Sequence, residues 1–299
     1  MNSCLFFYGA FHSDWHGGVE LSRLARRRLS AETVARLFRV GVSCKLFSII
    51  EINSTFYAIP TLKTVEQWRK TVARRPMFRF CVKLWQGVTH GDSTAEAVTF
   101  RNRLQPLIDG DRLAALLVQF PWSFKRSSAT VDRLQRILDA MSGLPCAVEF
   151  RHASWQNPQT LELLRERSAA FVNIDQPVIG ESIVPSAQVT APFAYVRLHG
   201  RNAGNWFRNG AGRDARYDYL YKAGELQAWS ASIAEMAQIS PVIVIFNNHF
   251  RGQAVVNAIQ LEHLLTGRRS PVPSSLLACY PQLVAQAVSH EKNGTMELF

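Results

Sequence analysis

The chain has 299 residues, 47% of them hydrophobic, and a formal net charge of +11, enough to bury one barrel-sized core or two small ones. It holds no internal repeat and no apolar run of the roughly 18 residues that a membrane span needs, and its start lacks a basic leader pattern, so a cytoplasmic protein without membrane contact is expected. Five scattered cysteines with no Cys-x-x-Cys pair exclude a disulfide framework and a zinc knuckle, while the positive charge leans toward anionic partners, either phosphorylated small molecules or nucleic acid.

Residues 5–9 read as a first strand, followed by a loop carrying His12, Asp14, Trp15 and His16. His12 and His16 would share a face on a helix, but Gly17 and Gly18 favour a loop there. The second apolar run, 47–53, alternates so that Glu51 and Asn53 share a face, and Pro60 closes the segment before a helix over 64–72. The third, 77–84, places Arg79, Cys81 and Lys83 together. Lys83 is the only lysine near a strand end in an apolar context, and reads as an anion ligand, a Schiff-base amine or one half of a structural ion pair.

Residues 113–120 are apolar on both faces, as a buried parallel strand requires, and end in Gln119. A helix over 129–141 leads to the fifth strand, 146–152, where an apolar run ends in Glu149, Arg151 and His152. Charges at the end of a buried strand are tolerated when paired or functional. Alternation turns Glu149 and Arg151 toward a central pocket and His152 toward the helices. The sixth strand, 170–175, puts Asn173 and Asp175 on one face, and the seventh, 193–199, does the same for Tyr195, Arg197 and His199. The loop 200–213, rich in Gly and Arg without a P-loop pattern, reads either as a solvated loop or as a phosphate-binding lid. The eighth strand, 242–247, ends in Asn247, and a helix over 254–265 closes the pattern, giving one domain over 1–267 and a peripheral tail over 268–299.

Eight strand-like runs alternating with helices suit either an open doubly wound sheet or a (β/α)8 TIM barrel. The barrel is preferred because every run ends in a polar or charged residue, and only closure brings all eight ends to one mouth. In that fold the site lies at the C-terminal strand ends, with phosphate near the loops after strands seven and eight.

Several segments also carry a family resemblance: Ile50 to Tyr57, Val82-Lys83 with Thr89-His90, Leu117 to Pro121, Val148 to His152 with Trp155, Tyr195 to Gly200, and Phe246 to Asn248 with Gly252 and Ala254. In order and spacing, over about 45–265, they resemble the motif series of the DUF72 (YecE-like) family. The resemblance implies a TIM barrel and a cytoplasmic bacterial-type protein, and carries no assigned activity with it. The family's Gly-Thr-Ser-Gly-Trp-like turn after the first strand is replaced here by Tyr8 to Trp15.

The strand ends suggest a division of labour. Arg197, Lys83 and Arg151, with Asn53, Gln119 and Asn247, would bind an anionic group. Glu51, Glu149, Asp175 and His199 would be catalytic, with Glu149 or Asp175 as base and His199 as acid or orienting partner, which fits phosphoester hydrolysis. No cofactor is expected. A divalent Mg, Mn or Zn ion on those same four residues is the alternative, although the neighbouring Arg and Lys can satisfy the carboxylates instead. A purely structural role would pair Glu149 with Arg151 or Arg197, and Asp175 with His199. From another class, a nucleic-acid-binding module would use the basic surface with Trp85, Trp122, Trp155 and Trp206 as stacking platforms.

Overall fold

A computed structural model describes residues 5–11, 46–91, 93, 95–206, 208 and 213–288. The loop holding His12, Asp14, Trp15 and His16 lies outside the described residues, as do Phe207 and 209–212 of the Gly-Arg loop.

Strands rich in Val, Ile, Leu and Phe on both faces are stable only when both faces are covered, and the chain satisfies this by closing its sheet. The strands are β1 (Leu5–Phe11), β2 (Ile49–Ile52), β3 (Arg79–Lys83), β4 (Leu113–Gln119), β5 (Cys146–Glu149), β6 (Ala170–Asp175), β7 (Ala194–Leu198) and β8 (Val242–Phe246). They form a closed barrel in chain order, every neighbouring pair parallel. Closure is made by β1 against β8, with Phe7 beside Ile245. The expected TIM barrel is thus the observed fold. None of the helices among the described residues is long and apolar enough to cross a membrane.

Among the described residues, six longer helices cover the outside: α1 (Leu62–Thr71), α2 (Ala95–Arg103), α3 (Ser128–Ala140), α4 (Pro158–Glu166), α5 (Ala223–Ile239) and α6 (Gln253–Thr266). Their starts follow capping chemistry. Thr61, Ser127 and Asn157 each accept from the backbone N–H three residues on, and Pro158 opens α4 where its missing N–H costs nothing. Gly267 ends α6 in the left-handed conformation, its N–H bonded to the His263 carbonyl. Between β4, β5 and the helices, Phe120, Phe124, Trp155 and Phe150 form a stack of nearly parallel rings, anchored where Trp155 Nε1 donates to the Phe124 carbonyl at 2.6 Å.

The stretch expected as a peripheral tail is packed into this outer layer as far as it is described. Leu276 and Leu283 are fully buried, the Tyr280 hydroxyl donates to the Arg251 carbonyl at 2.9 Å, and Ser270 exchanges backbone bonds with Gln286 and Val288.

Several ladders stop one or two residues earlier than the apolar pattern suggests. Asn53, Arg151, His199 and Asn247 all sit just past the last paired residue of their strands. His199 N–H still bonds the Asp175 carbonyl and Asn247 N–H the Leu198 carbonyl, so the strand alternation carries on past the last paired residue, and Asn53, Arg151 and Asn247 line the mouth.

Candidate functional site

The inward-facing side chains make three levels. The lowest is a fully buried ion-pair network. Arg197 Nε donates to Glu51 Oε2 at 3.0 Å, its Nη2 bonds Glu51 Oε1, and its Nη1 donates to Glu149 Oε2 at 2.7 Å. The Tyr195 hydroxyl adds a bond to Glu51 at 2.9 Å, and Arg151 Nη2 lies 2.5 Å from the other oxygen of Glu149. A planar guanidinium with five donors can hold two carboxylates at once, which a lysine cannot do with the same geometry. Burial opposes ionisation of Glu149, yet the charges of Arg151 and Arg197, helped by His199, hold its carboxyl well below the usual range. Burial likewise works against the Arg197 charge, and Glu149 and Glu51 outweigh it and raise the pKa. Burial pushes the Cys81 thiol, in the same interior, up, and pushes Cys146 up to about 12, so both are the small buried hydrophobes expected of them.

His199 occupies the second level. Asn247 Nδ2 donates to its Nδ1 at 3.0 Å, while Nε2 faces Arg151 Nη2 at 3.2 Å and Glu149 Oε1 at 3.5 Å. Burial and then the Arg151 charge lower its pKa to about 3, so the imidazole is neutral. Of the two roles expected of it, acid or orienting partner, a neutral ring suits the second: accepting from Asn247 at Nδ1, it turns Nε2–H toward Glu149. Arg151 is held further by Gln176, whose Oε1 accepts from Nη1 at 2.6 Å.

The low His199 pKa gives a stability prediction with a definite sign. An unfolded histidine takes up a proton near 6.5, before the folded one does, so stability is lost as pH falls from about 6.5 toward about 3, by up to about 1.4 kcal/mol per pH unit. Glu149 acts in the same direction once the unfolded carboxylate begins to protonate, near 4.5, and His90, lowered to about 4 by burial and then the Lys83 charge, adds to it. The melting temperature should therefore begin to fall near pH 6.5, and His199→Gln should shallow the slope between 6.5 and 4.5. An unchanged slope in that variant would refute this assignment.

The third level is a cavity of ≈ 60 Å³ at the mouth. All six residues expected to bind an anion line it: Asn53, Lys83, Gln119, Arg151, Arg197 and Asn247. Phe56, Tyr57, Tyr217 and His249 complete the wall and were not anticipated as site residues. Phe56 and Tyr57 lie in the motif after β2, and His249 two residues beyond Asn247, so proximity to strand ends was the available signal; nothing in the sequence singles out Tyr217. The last two sit on the loops after β7 and β8, which are tied together. Asn257 bonds both the N–H and the carbonyl of Tyr221 and accepts from Asn248 at 2.9 Å, and Tyr221 in turn accepts from Gly200 N–H at 2.8 Å. Gly200 is required there, since its φ is 87° and a Cβ would lie 2.6 Å from Tyr219.

Lys83 is half-buried, and its Nζ sits 3.8 Å from the centroid of the Phe56 ring. It makes no ion pair among the described residues, because the nearby carboxylates are engaged by arginine. Burial first, and then the Arg197 charge, lower its pKa to about 7 against the partial opposition of Glu149 and Glu51. Arg151 Nε and Asn53 Oδ1, also at this cavity, have no hydrogen-bond partner among the described residues.

Asp175 does not join this group. It faces the helix layer, where Arg201 Nε and Nη2 each donate to it at 2.9 Å and buried Trp229 Nε1 on α5 donates at 2.7 Å. The expected pairing of Asp175 with His199 is absent, and Arg201, a candidate for the phosphate lid, is committed to this outer ion pair instead. In register, it is Ile174 that stands beside the inward Arg197. The divalent-ion alternative loses its ligand set for the same reason. With Asp175 elsewhere and Arg197 between Glu51 and Glu149, no three His, Cys, Asp or Glu side chains among the described residues are grouped to hold a metal.

Comparison with known proteins agrees with this architecture. A family model described as "Protein of unknown function DUF72" matches residues 33–278. The UPF0759 protein YunF of Bacillus subtilis (strain 168) is 34% identical over 237 residues, covering 73% of this chain and 83% of that protein. Among solved structures, a DUF72 family protein from Thermotoga maritima MSB8 is 34% identical with a TM-score of 0.66, over 73% of this chain and 85% of its own. Another, from Enterococcus faecalis V583, is 30% identical with a TM-score of 0.71, over 76% and 88%. With the family model spanning most of the chain and relatives alike along most of both lengths, this chain belongs to the DUF72 family.

Proposed function

We propose that the C-terminal mouth of the barrel binds a small anionic molecule, its phosphate or carboxylate held by Lys83, Arg151 and Arg197. The observation that carries this reading is charge against space. Three cationic side chains reach one cavity of ≈ 60 Å³, while the carboxylates beneath it among the described residues, Glu51 and Glu149, are already bound to guanidiniums. With Lys83 protonated, one positive charge is left over, together with the free Nε of Arg151. Asn53, Gln119 and Asn247 supply neutral hydrogen-bonding groups around it.

The same geometry weighs against a phosphoester hydrolase using Glu149 as base. A carboxylate with a guanidinium on each oxygen is a weak proton acceptor, and Asp175 is not at the mouth. The nucleic-acid reading is not favoured either. Trp155 is fully buried, Trp206 is 9% exposed, and of the four tryptophans offered as stacking platforms only Trp122 is exposed.

Titration calorimetry with inorganic phosphate, and with glycerol 3-phosphate, tests the proposal. One saturable site is expected, weakened roughly 10- to 100-fold by Lys83→Met or Arg151→Met, the scale of a lost charge-assisted hydrogen bond. The pKa of Lys83 is lowered to about 7 and only the ammonium attracts an anion, while the phosphate itself gains charge over the same range. The Lys83 contribution is therefore read as a difference: relative to Lys83→Met, wild-type affinity should fall as pH rises through that range. Binding by that variant as tight as wild type would remove the proposal.

A further inference from the structure

We propose that Lys83 is a nucleophile that forms an imine with a small 2-oxo acid, whose carboxylate is held by Arg151 and Arg197. This rests on the anion-binding reading above and adds a covalent step and a substrate class to it.

Three observations point this way. First, Lys83 is not used as a structural cation. Every described carboxylate in the barrel interior is held by arginine, and the ammonium contact of Lys83 is the face of Phe56. Second, the cavity already contains two guanidiniums suited to a carboxylate. Lys83, a cation of a different type beside an aromatic wall, lines that same cavity, so its amine faces the space in which the guanidiniums would hold a carboxylate. Third, the surroundings keep the amine available. Burial and the Arg197 charge bring it to about 7, so a substantial fraction is neutral at physiological pH, whereas an ordinary lysine has almost none.

The step balances without any oxidant or reductant. The neutral amine's lone pair forms a C–N bond to the carbonyl carbon, and the carbonyl π electrons move to oxygen, which takes up one of the two nitrogen protons to give a neutral carbinolamine. That species loses its hydroxyl together with the remaining nitrogen proton as water, leaving C=N. One water is released overall, with no net gain or loss of protons. The neighbouring guanidiniums also favour the reaction, since they hold the carboxylate next to the electrophilic carbon and suppress protonation of the amine.

The test is reductive trapping on the full chain. The protein is incubated with pyruvate or glyoxylate and sodium cyanoborohydride, then examined by intact mass and peptide mapping. The expected result is one adduct on the peptide containing Lys83, saturable in the oxo acid, suppressed by competing inorganic phosphate, and lost in Lys83→Arg. A melting temperature for that variant close to wild type shows that loss of trapping is not loss of the fold, while phosphate binding is read on wild type. If wild type binds phosphate in a Lys83-dependent way but the label is absent, or is spread over surface lysines, the imine is overturned and the anion site stands. If neither phosphate nor label reaches the cavity, both are overturned. Equal labelling of Lys83→Arg and wild type also overturns the imine.

Discussion

Arg197→Leu should lower the melting temperature by roughly 10 °C or leave the protein insoluble, the largest effect of any single substitution at the mouth. Its guanidinium is the shared partner of Glu51 and Glu149, all three side chains being at most 1% exposed. Removing it strands two charges that water cannot reach. Breaking a buried ion pair from one side costs about 3–5 kcal/mol, and for a barrel of this size each kcal/mol lowers the melting temperature by roughly 2–4 °C. The two carboxylates are not equally exposed to the loss. Glu149 keeps Arg151, whereas Glu51 keeps, among the described residues, only the Tyr195 hydroxyl. Adding Glu51→Gln to Arg197→Leu should therefore recover part of the stability, and Glu149→Gln less. Thermal melts followed by circular dichroism would decide. A single variant melting within about 2 °C of wild type would mean that the network is not what holds the mouth.

Asp175→Ala should separate stability from binding. The variant leaves the indole N–H of Trp229, in a residue 5% exposed, without an acceptor, and removes the partner of Arg201. A buried donor left unsatisfied costs about 1–3 kcal/mol, while Arg201, with a side chain 39% exposed, can turn to water. A loss of about 2 kcal/mol is expected, with phosphate affinity at the mouth unchanged. In this background Trp229→Phe should cost less than it does alone, because it deletes the orphaned donor. Denaturant melts and calorimetry on the same preparations check both halves. Loss of phosphate binding at undiminished stability would return Asp175 to the site.

The contrast between Asp175 and Glu149 marks where the sequence stops being informative. Both end apolar runs, and both were read by alternation. On β5 the phase was right, because Glu149 and Arg151 together had to find partners and only the barrel interior offers them. On β6 every residue is buried, so Asn173 with Asp175 and Val172 with Ile174 are equally plausible inward sets. The choice is made by Arg201 and Trp229, which arrive from later segments. The role of His199 was hidden for a similar reason. Its position follows from the β7 alternation, but its neutrality depends on Arg151 from another strand. The six residues expected to bind an anion were legible as lining one cavity because each lies near the end of a strand in a closed barrel. Tyr217 was not, since loop residues have no period to read.

The Glu51 to Arg197 contact joins residues 146 positions apart. As the chain is synthesised, β2 leaves the ribosome long before β7 exists, carrying an inward carboxylate with no counter-charge. A half barrel collapsing around that carboxylate would bury it alone, at a cost of several kcal/mol. A core sealed from the early strands alone would lack the counter-charge that Glu51 has in the complete barrel, so this interior is matched to the whole barrel and not to its first half.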